Sequence, residues 1–266
     1  MDTAIEETCF SAEPTEEIFY MKQVICMKWG QLYGPDYVNR LYAMARRNLT
    51  GDLRFVCLTD NTEGIRAEVE CHPCPDGSLP APYDRRGWRK LATYAKSEDL
   101  FGLTGDWLFF DLDVVITAPI DDFFTYKPEK SFIVMQNWTQ RGKGIGNTSV
   151  YRFRVGAETY LLENLIQNLD TEVKTHNNSQ TYISRTVKDL TFWPDEWCVL
   201  FKVQCVPPWP QRLWKEPVLP PAARVVAFPG VPNPHQAVAG EWPVKTPVKK
   251  LYKTIRPARW IDDYWK

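Results

Sequence analysis

The stretch Trp107-Leu108-Phe109-Phe110-Asp111-Leu112-Asp113-Val114-Val115-Ile116 constrains the fold more than any other part of the chain. An apolar run leads into two carboxylates one residue apart, and apolar residues resume after them. Such runs mark strands buried on both faces, as in parallel sheets covered by helices. Carboxylates at the end of a buried strand must give up water, which is costly unless a cation offsets their charge. In extended backbone, residues two apart point to the same side, so Asp111 and Asp113 are both expected to reach one ion. Hard oxygen ligands suit Mg²⁺ or Mn²⁺, and such ions keep open positions for substrate phosphates. The segment points to metal-assisted chemistry on a phosphorylated substrate. As an isolated pattern, however, Asp-x-Asp serves several enzyme classes.

The flanking sequence reads as α/β. A short buried strand over 24–27 is broken by Gly30 and Gly34-Pro35. Asp36 then opens an amphipathic helix with Val38, Leu41, Tyr42 and Ala45 on one face, closing over 48–51. A second strand, 53–58, ends in polar Thr59-Asp60-Asn61. Strand, helix and strand in succession form the βαβ unit of a parallel sheet. A Pro/Gly/Cys-rich loop is expected over 71–87 and a helix over 88–100. Strands at 132–136 and 149–153 flank a loop with Gly142, Gly144 and Gly146. Helices are expected over 157–169 and 179–189, a proline-dense extended loop over 206–221, and a last strand over 224–228. The expected fold is a single α/β domain with a mixed, mostly parallel central sheet flanked by helices. Its organisation is an acidic leader (1–20), the main domain (21–240) and an aromatic, basic C-terminal extension (241–266).

Composition narrows the function classes. The 266 residues carry a net charge of −1, which gives no electrostatic case for nucleic acid or an anionic membrane as the primary partner. Residues 1–20 hold five Glu and no Lys or Arg, unlike a secretory signal. No apolar stretch approaches the roughly 20 residues that span a bilayer. Seven cysteines, an odd number, argue against a complete disulfide framework and for a reduced, cytoplasmic setting. Eleven Trp and twelve Tyr suit core packing, or in part a sugar-binding cleft.

Three further patterns carry chemistry. His235, in the Pro/Gly-rich segment 228–235, is a candidate metal ligand. Cys71-His72-Pro73-Cys74 has zinc-like spacing, but Cys198 and Cys205 make a poor second pair. Gly146-Asn147-Thr148-Ser149 offers small polar groups to hydroxyls, or is an ordinary turn.

Together, the strand 24–30, the Leu58-Thr59-Asp60 strand end, Asp111-Leu112-Asp113 and 146–151 resemble GT-A-fold nucleotide-sugar glycosyltransferases. The likeness is to the glycogenin-like and bacterial lipopolysaccharide-galactosyltransferase type, and it runs from about Val24 to His235. The resemblance implies that Cys26, Met27, Trp29, Gly30 and Tyr33 hold the nucleotide, with Asp60 near the base. It implies that Asp111 and Asp113 hold Mn²⁺ (or Mg²⁺) bridging the donor diphosphate, with Leu112 between them and His235 as third protein ligand. Arg86, Arg89 and Lys90 lie where the family places a cation near the donor, and Asn147 where it contacts sugar hydroxyls. The family's Asp-Gln pair on the acceptor side corresponds here to Ser179-Gln180, which leaves Gln180 to orient the sugar. The resemblance further implies retention of anomeric configuration and a nucleotide-sugar donor. It also implies a glycan or glycolipid acceptor, and a cytoplasmic protein able to associate peripherally with the inner face of the membrane.

Two other readings fit the same residues. Asp111-Leu112-Asp113-Val114-Val115 also resembles the nucleophile motif of haloacid-dehalogenase-type phosphatases, with Asp111 attacking phosphate and Asp113 as acid/base. That motif normally opens its fold, and glycine is usual at the position of Val114, where backbone approaches phosphate. The third reading is a catalytically silent nucleotide-sugar-binding module, suggested by Ser179.

Overall fold

The computed structural model describes residues 21–85 and 87–266; the expected acidic leader lies outside them, as does Arg86. Two sheets form the centre. The larger has seven strands in the order β3-β2-β1-β4-β7-β6-β8: β1 (Lys22–Lys28), β2 (Leu53–Thr59), β3 (Glu70–Pro73), β4 (Asp106–Phe110), β6 (Phe132–Gln136), β7 (Gly146–Arg154) and β8 (Thr191–Phe192). The smaller has the order β5-β10-β9: β5 (Val114–Ile116), β9 (Cys198–Leu200) and β10 (Val225–Ala227). The helices are α1 (Pro35–Arg47), α2 (Asp122–Thr125), α3 (Thr159–Gln167), α4 (Leu169–Thr175), α5 (Ser179–Thr186), α6 (Pro234–Ala239), α7 (Pro247–Lys250) and α8 (Trp260–Tyr264).

The expected βαβ unit is present: β1 pairs parallel with β2, Cys26 opposite Cys57, and α1 joins them. Pro35 sits in the first turn of α1, where its missing N–H costs no bond, and Arg46 and Arg47 in the last turn complement the helix dipole. On its other side β1 pairs parallel with β4, while β7 runs antiparallel to both β4 and β6. The sheet is therefore mixed, with its first four strands parallel.

Alternation along the central strands separates two apolar layers. Val24, Cys26, Leu108 and Phe110 face α1 and the smaller sheet, whereas Ile25, Met27, Trp107 and Phe109 face the layer that includes Trp88, Leu161 and Tyr182. The chain's C-terminal part returns to the first layer: Ile255, Ala258, Ile261 and Trp265 are buried there. Arg40 and Arg47 of α1 donate to the Trp265 and Tyr264 carbonyls, each at 2.6 Å.

The structure differs from the expected elements in three places that matter for the site. The aspartate segment is not one strand. β4 ends at Phe110, β5 begins at Val114, and Asp111-Leu112-Asp113 is the turn that carries the chain from one sheet to the other. The expected helix over 88–100 is two 3₁₀ segments, Gly87–Tyr94 and Glu98–Leu100. Thr93 Oγ1 there bonds the Lys90 carbonyl at 2.7 Å, a local bond that competes with α-helical pairing. Finally, the loop expected over 71–87 begins as edge strand β3, parallel to β2.

Candidate nucleotide-sugar cleft

Above the C-terminal ends of β1, β2 and β4 lies a cleft of about 680 Å³, where open α/β sheets place ligands. Residues 27–33, after β1, form one wall; Asp60 closes the β2 end; Gly87, Arg89 and Lys90 form the opposite wall; Asp111, Leu112 and Asp113 form the floor. Ten residues chosen from sequence line it: Met27, Trp29, Gly30, Tyr33, Asp60, Arg89, Lys90, Asp111, Leu112 and Asp113. They converge because parallel strands all end on the same edge of the sheet.

The walls are cross-braced. Gly30 has φ +64°, a conformation that glycine adopts without steric cost, and its N–H donates to Asp60 Oδ2 at 2.8 Å. Asp60 thereby ties the strand end of β2 to the loop after β1. Asp111 takes its backbone position from a bond between its N–H and the Ser149 carbonyl of β7, 2.9 Å.

The floor is electrostatically unbalanced. Lys90 Nζ pairs with Asp111 Oδ1, and its side chain is mostly buried over the Phe109 ring. Asp113 is 6% exposed and accepts a hydrogen bond from Tyr33 Oη at 2.9 Å. Loss of water, then the neighbouring charge of Asp111, pushes the Asp113 carboxyl well above the usual range. Two carboxylates thus share one lysine. A hard divalent cation fits this set, because such ions are held by one or two carboxylates completed by substrate phosphates. Asp111 and Asp113 would hold it. Arg89 Nη1 donates to the Asp84 carbonyl at 3.1 Å, while its Nε is buried without a hydrogen-bond partner among the described residues.

Four expected site residues lie elsewhere. Cys26 is fully buried beneath the cleft, beside Cys57 in the apolar layer, because alternation turns it inward when Met27 faces the opposite side. Asn147 is buried, and its Oδ1 accepts the Ser149 N–H at 2.9 Å within β7; it shapes the strand and does not face the cleft. Gln180 lies in the first turn of α5 and accepts from Asn137 Nδ2 at 3.4 Å, away from the cleft lining. His235 is not in a loop. It occupies the first turn of α6, exposed, with Nδ1 2.6 Å from Tyr37 Oη. The α6 start is fixed by a capping box between Asn233 and Gln236, which sequence reading missed despite the Asn-Pro-x-Gln spacing. His235 therefore reaches Asp113 only through neighbours: the Tyr37 ring packs tilted against Tyr33 with centroids 4.7 Å apart, and Tyr33 bonds Asp113. Among the described residues, no three His, Cys, Asp or Glu side chains form a metal-ligand group; this also leaves Cys71, His72 and Cys74 without a zinc set.

Ser179 is 5% exposed at the first position of α5. A Cβ on Gly87 would come within 3.1 Å of its Oγ. Ser179 thus backs the cleft wall at Gly87, a relation between residues about ninety positions apart that no local pattern signals.

The fold belongs to a class that known structures define. No family model and no curated protein matches the chain in sequence. Among solved structures, it superposes on the galactosyltransferase LgtC, in complex with donor and acceptor sugar analogues, with a TM-score of 0.55. That match is 10% identical and covers 80% of this chain and 88% of LgtC. It also superposes on the glycosyltransferase GlyE of Streptococcus pneumoniae TIGR4 with a TM-score of 0.55 and 14% identity. This match covers 80% of the chain and 56% of GlyE, so the chain spans little more than half of that structure. The apo form of GlyE gives 0.54. The chain shares the fold of these glycosyltransferases: a mixed α/β architecture with a mostly parallel central sheet. The phosphatase reading requires its aspartate strand to open the fold, whereas β1 and β2 precede β4 here.

Proposed function

We propose that the chain is a metal-assisted glycosyltransferase. It moves a hexose from a nucleoside diphosphate sugar, UDP favoured, to a glycan or lipid-linked acceptor. One observation carries the reading: the Asp111/Asp113 pair forms the floor of a large cleft walled by strand-end loops and by Arg89 and Lys90. The shared fold supports it, since LgtC was solved with donor and acceptor sugar analogues.

In this reading the loop 27–33 and Asp60 receive the nucleoside, with Trp29 offering a flat apolar face. Arg89 and Lys90 face the diphosphate, whose negative charge grows as the anomeric C–O bond breaks. Fixed cations in a poorly hydrated cleft stabilise such charge strongly. Asp111 and Asp113 would hold a divalent ion, which when bound would supply the same charge stabilisation without proton transfer. Tyr33 holds Asp113 in place. Neither aspartate touches the reacting carbon. The family resemblance carries retention of configuration, with the acceptor hydroxyl attacking from the face the diphosphate leaves. It also carries the assignments of Gln180 to the sugar and of His235 as a further ligand; the latter requires His235 to release Tyr37.

The test is a thermal-shift panel of UDP-, GDP- and CMP-sugars with and without Mn²⁺ or Mg²⁺, followed by donor hydrolysis. UDP-sugars with metal are expected to raise Tm most. Asp113→Ala is expected to remove both that shift and metal-dependent hydrolysis while the circular dichroism spectrum stays unchanged. Full turnover in Asp113→Ala overturns the assignment. Stabilisation by donor without any hydrolysis favours the silent binding module.

A further inference from the structure

Lys28 is a buried cation of the cleft to which neither the sequence pattern nor the proposed chemistry gives a task. It is the last residue of β1, 5% exposed, and it lines the cleft. Its Nζ makes one long bond, 3.4 Å to the Asn61 carbonyl. Lys22, Lys90 and Lys130 are the lysines that pair with a carboxylate among the described residues, and Lys28 is not one of them. An ammonium has three donors and no acceptor. Burying it with one weak bond is costly unless another group completes its shell.

A suitable acceptor stands close by and is not used. Lys28 bonds the carbonyl of Asn61, and Asp60 Oδ2 accepts from the N–H of Gly30. The loops after β1 and β2 are thus laced crosswise, which holds the lysine and the aspartate at one end of the cleft without pairing them. Asp60 Oδ1 has no hydrogen bond among the described residues. Burial pushes the Cys71 thiol of β3 up, and the charge of Lys28 opposes that push. Lys28 therefore acts on the β2–β3 side of the sheet, away from Asp111 and Asp113, which follow β4. The diphosphate belongs with the charges of that far floor and of Arg89 and Lys90, so the base is left facing Lys28 and Asp60.

We propose that Lys28 is the residue that selects the base of the donor, giving its hydrogen bond to a uracil carbonyl while Asp60 accepts from the adjacent ring N–H. Of the four RNA bases, uracil alone carries acceptors at both exocyclic positions of its pairing edge, O2 and O4, with one donor, N3–H, between them. A donor-only group beside an acceptor-only group matches that edge from either end. Cytosine, guanine and adenine each carry an exocyclic amino group, which would set donor against donor at the buried ammonium. A site that hydrogen-bonds one ligand rejects a mismatched one because its own buried groups are then left unpaired. The inference rests on the proposed nucleotide-sugar function for the place of the base; the selection itself needs no sugar transfer.

The experiment is calorimetric titration of the full chain, with Mg²⁺ present, by UDP, CDP, GDP, ADP and N3-methyl-UDP. Wild type is expected to bind UDP at least about tenfold more tightly than each of the others, N3-methyl-UDP included, since the methyl group removes the donor that Asp60 meets. Lys28→Met keeps the length of the stem but donates nothing. It should weaken UDP about 10–100-fold and leave CDP within about threefold, so that the preference is lost. Lys28→Arg keeps a donor and should keep the preference. A lysine that only braces Asn61 would change Tm, or weaken all nucleotides alike, and leave the UDP-to-CDP ratio in place; that result overturns the proposal. So does a wild type that binds CDP or GDP as tightly as UDP, or N3-methyl-UDP as tightly as UDP, and these arms decide even where Lys28→Met does not fold. A Lys28-dependent preference for UDP without any donor hydrolysis upholds the selection and counts against the transferase. Failure of every nucleoside diphosphate to bind overturns both readings.

Discussion

Replacing Lys90 by methionine tests the charge balance of the cleft floor directly. Lys90 is the lysine paired with Asp111, and Asp113 is buried beside it. Methionine keeps the apolar stem against Phe109 but leaves two carboxylates with no lysine. Removing one partner of a fully buried pair costs about 3–5 kcal/mol. Here the Asp111 side chain keeps 20% of its exposure, so water recovers part of that cost and the expected loss is about 2–3 kcal/mol. For a chain of this size that lowers Tm by about 5–10 °C. Urea unfolding of wild type, Lys90→Met, Asp111→Asn and the double variant closes a double-mutant cycle. The double variant is expected to recover more than half of the loss, because Asp113 is then the lone charge. Mg²⁺ is expected to stabilise Lys90→Met more than wild type, since the cation takes up the charge that the lysine carried. A Lys90→Met variant within about 0.5 kcal/mol of wild type, or a double variant no more stable than the single, would refute the reasoning.

Three further outcomes follow from other parts of the fold. The buried Arg152 guanidinium donates to the carbonyls of Phe123, Phe124, Tyr126, Lys127 and Lys130. Arg152→Met strands those acceptors and should cost about 3 kcal/mol or more, read as a lower urea midpoint and faster proteolysis within residues 123–130. A Cβ on Gly146 would lie 2.5 Å from Val134 Cγ1, beside the irregularity between β6 and β7. Gly146→Ala should therefore destabilise by about 1–3 kcal/mol, and Gly146→Ala/Val134→Ala should relieve that clash. Glu70 accepts two 2.8 Å bonds from Arg54, which hold its carboxyl down at about 2. Its native value lies below its unfolded one, so its contribution is present above about pH 4.5 and fades as pH falls towards 2. Glu70 is over a third exposed, so Glu70→Gln should cost under about 1 kcal/mol at pH 7, with its unfolding curve converging on wild type by about pH 2.

The sequence by itself determined the elements whose cause is local. The continuous burial of β1 and β4, the Pro35 start of α1 and the βαβ unit are all written in neighbouring residues. So is the polar end of each parallel strand, and strand ends are where such a sheet must place a cleft. Asp60, Asp111 and Asp113 follow such strand ends and line the cleft; Arg89 and Lys90, which also line it, sit in a 3₁₀ segment and were read only from the family resemblance. Tertiary structure alone decided the pairings across long separations. Asp113 meets Tyr33 from 80 residues away and Tyr37 meets His235 from 198 residues away. A histidine in a Gly/Pro-rich segment gives no local sign of the phenol that lies beside it. Asn147 looked outward because the sequence shows its polarity but not the β7 backbone N–H that it satisfies. The break between β4 and β5 was hidden too: residues 107–116 are apolar enough for one strand, and only the partners of β5 in the second sheet end it at Phe110. Local periodicity fixes what an element is, whereas the contacts that set a side chain's charge, direction and neighbours come from residues the chain brings back much later.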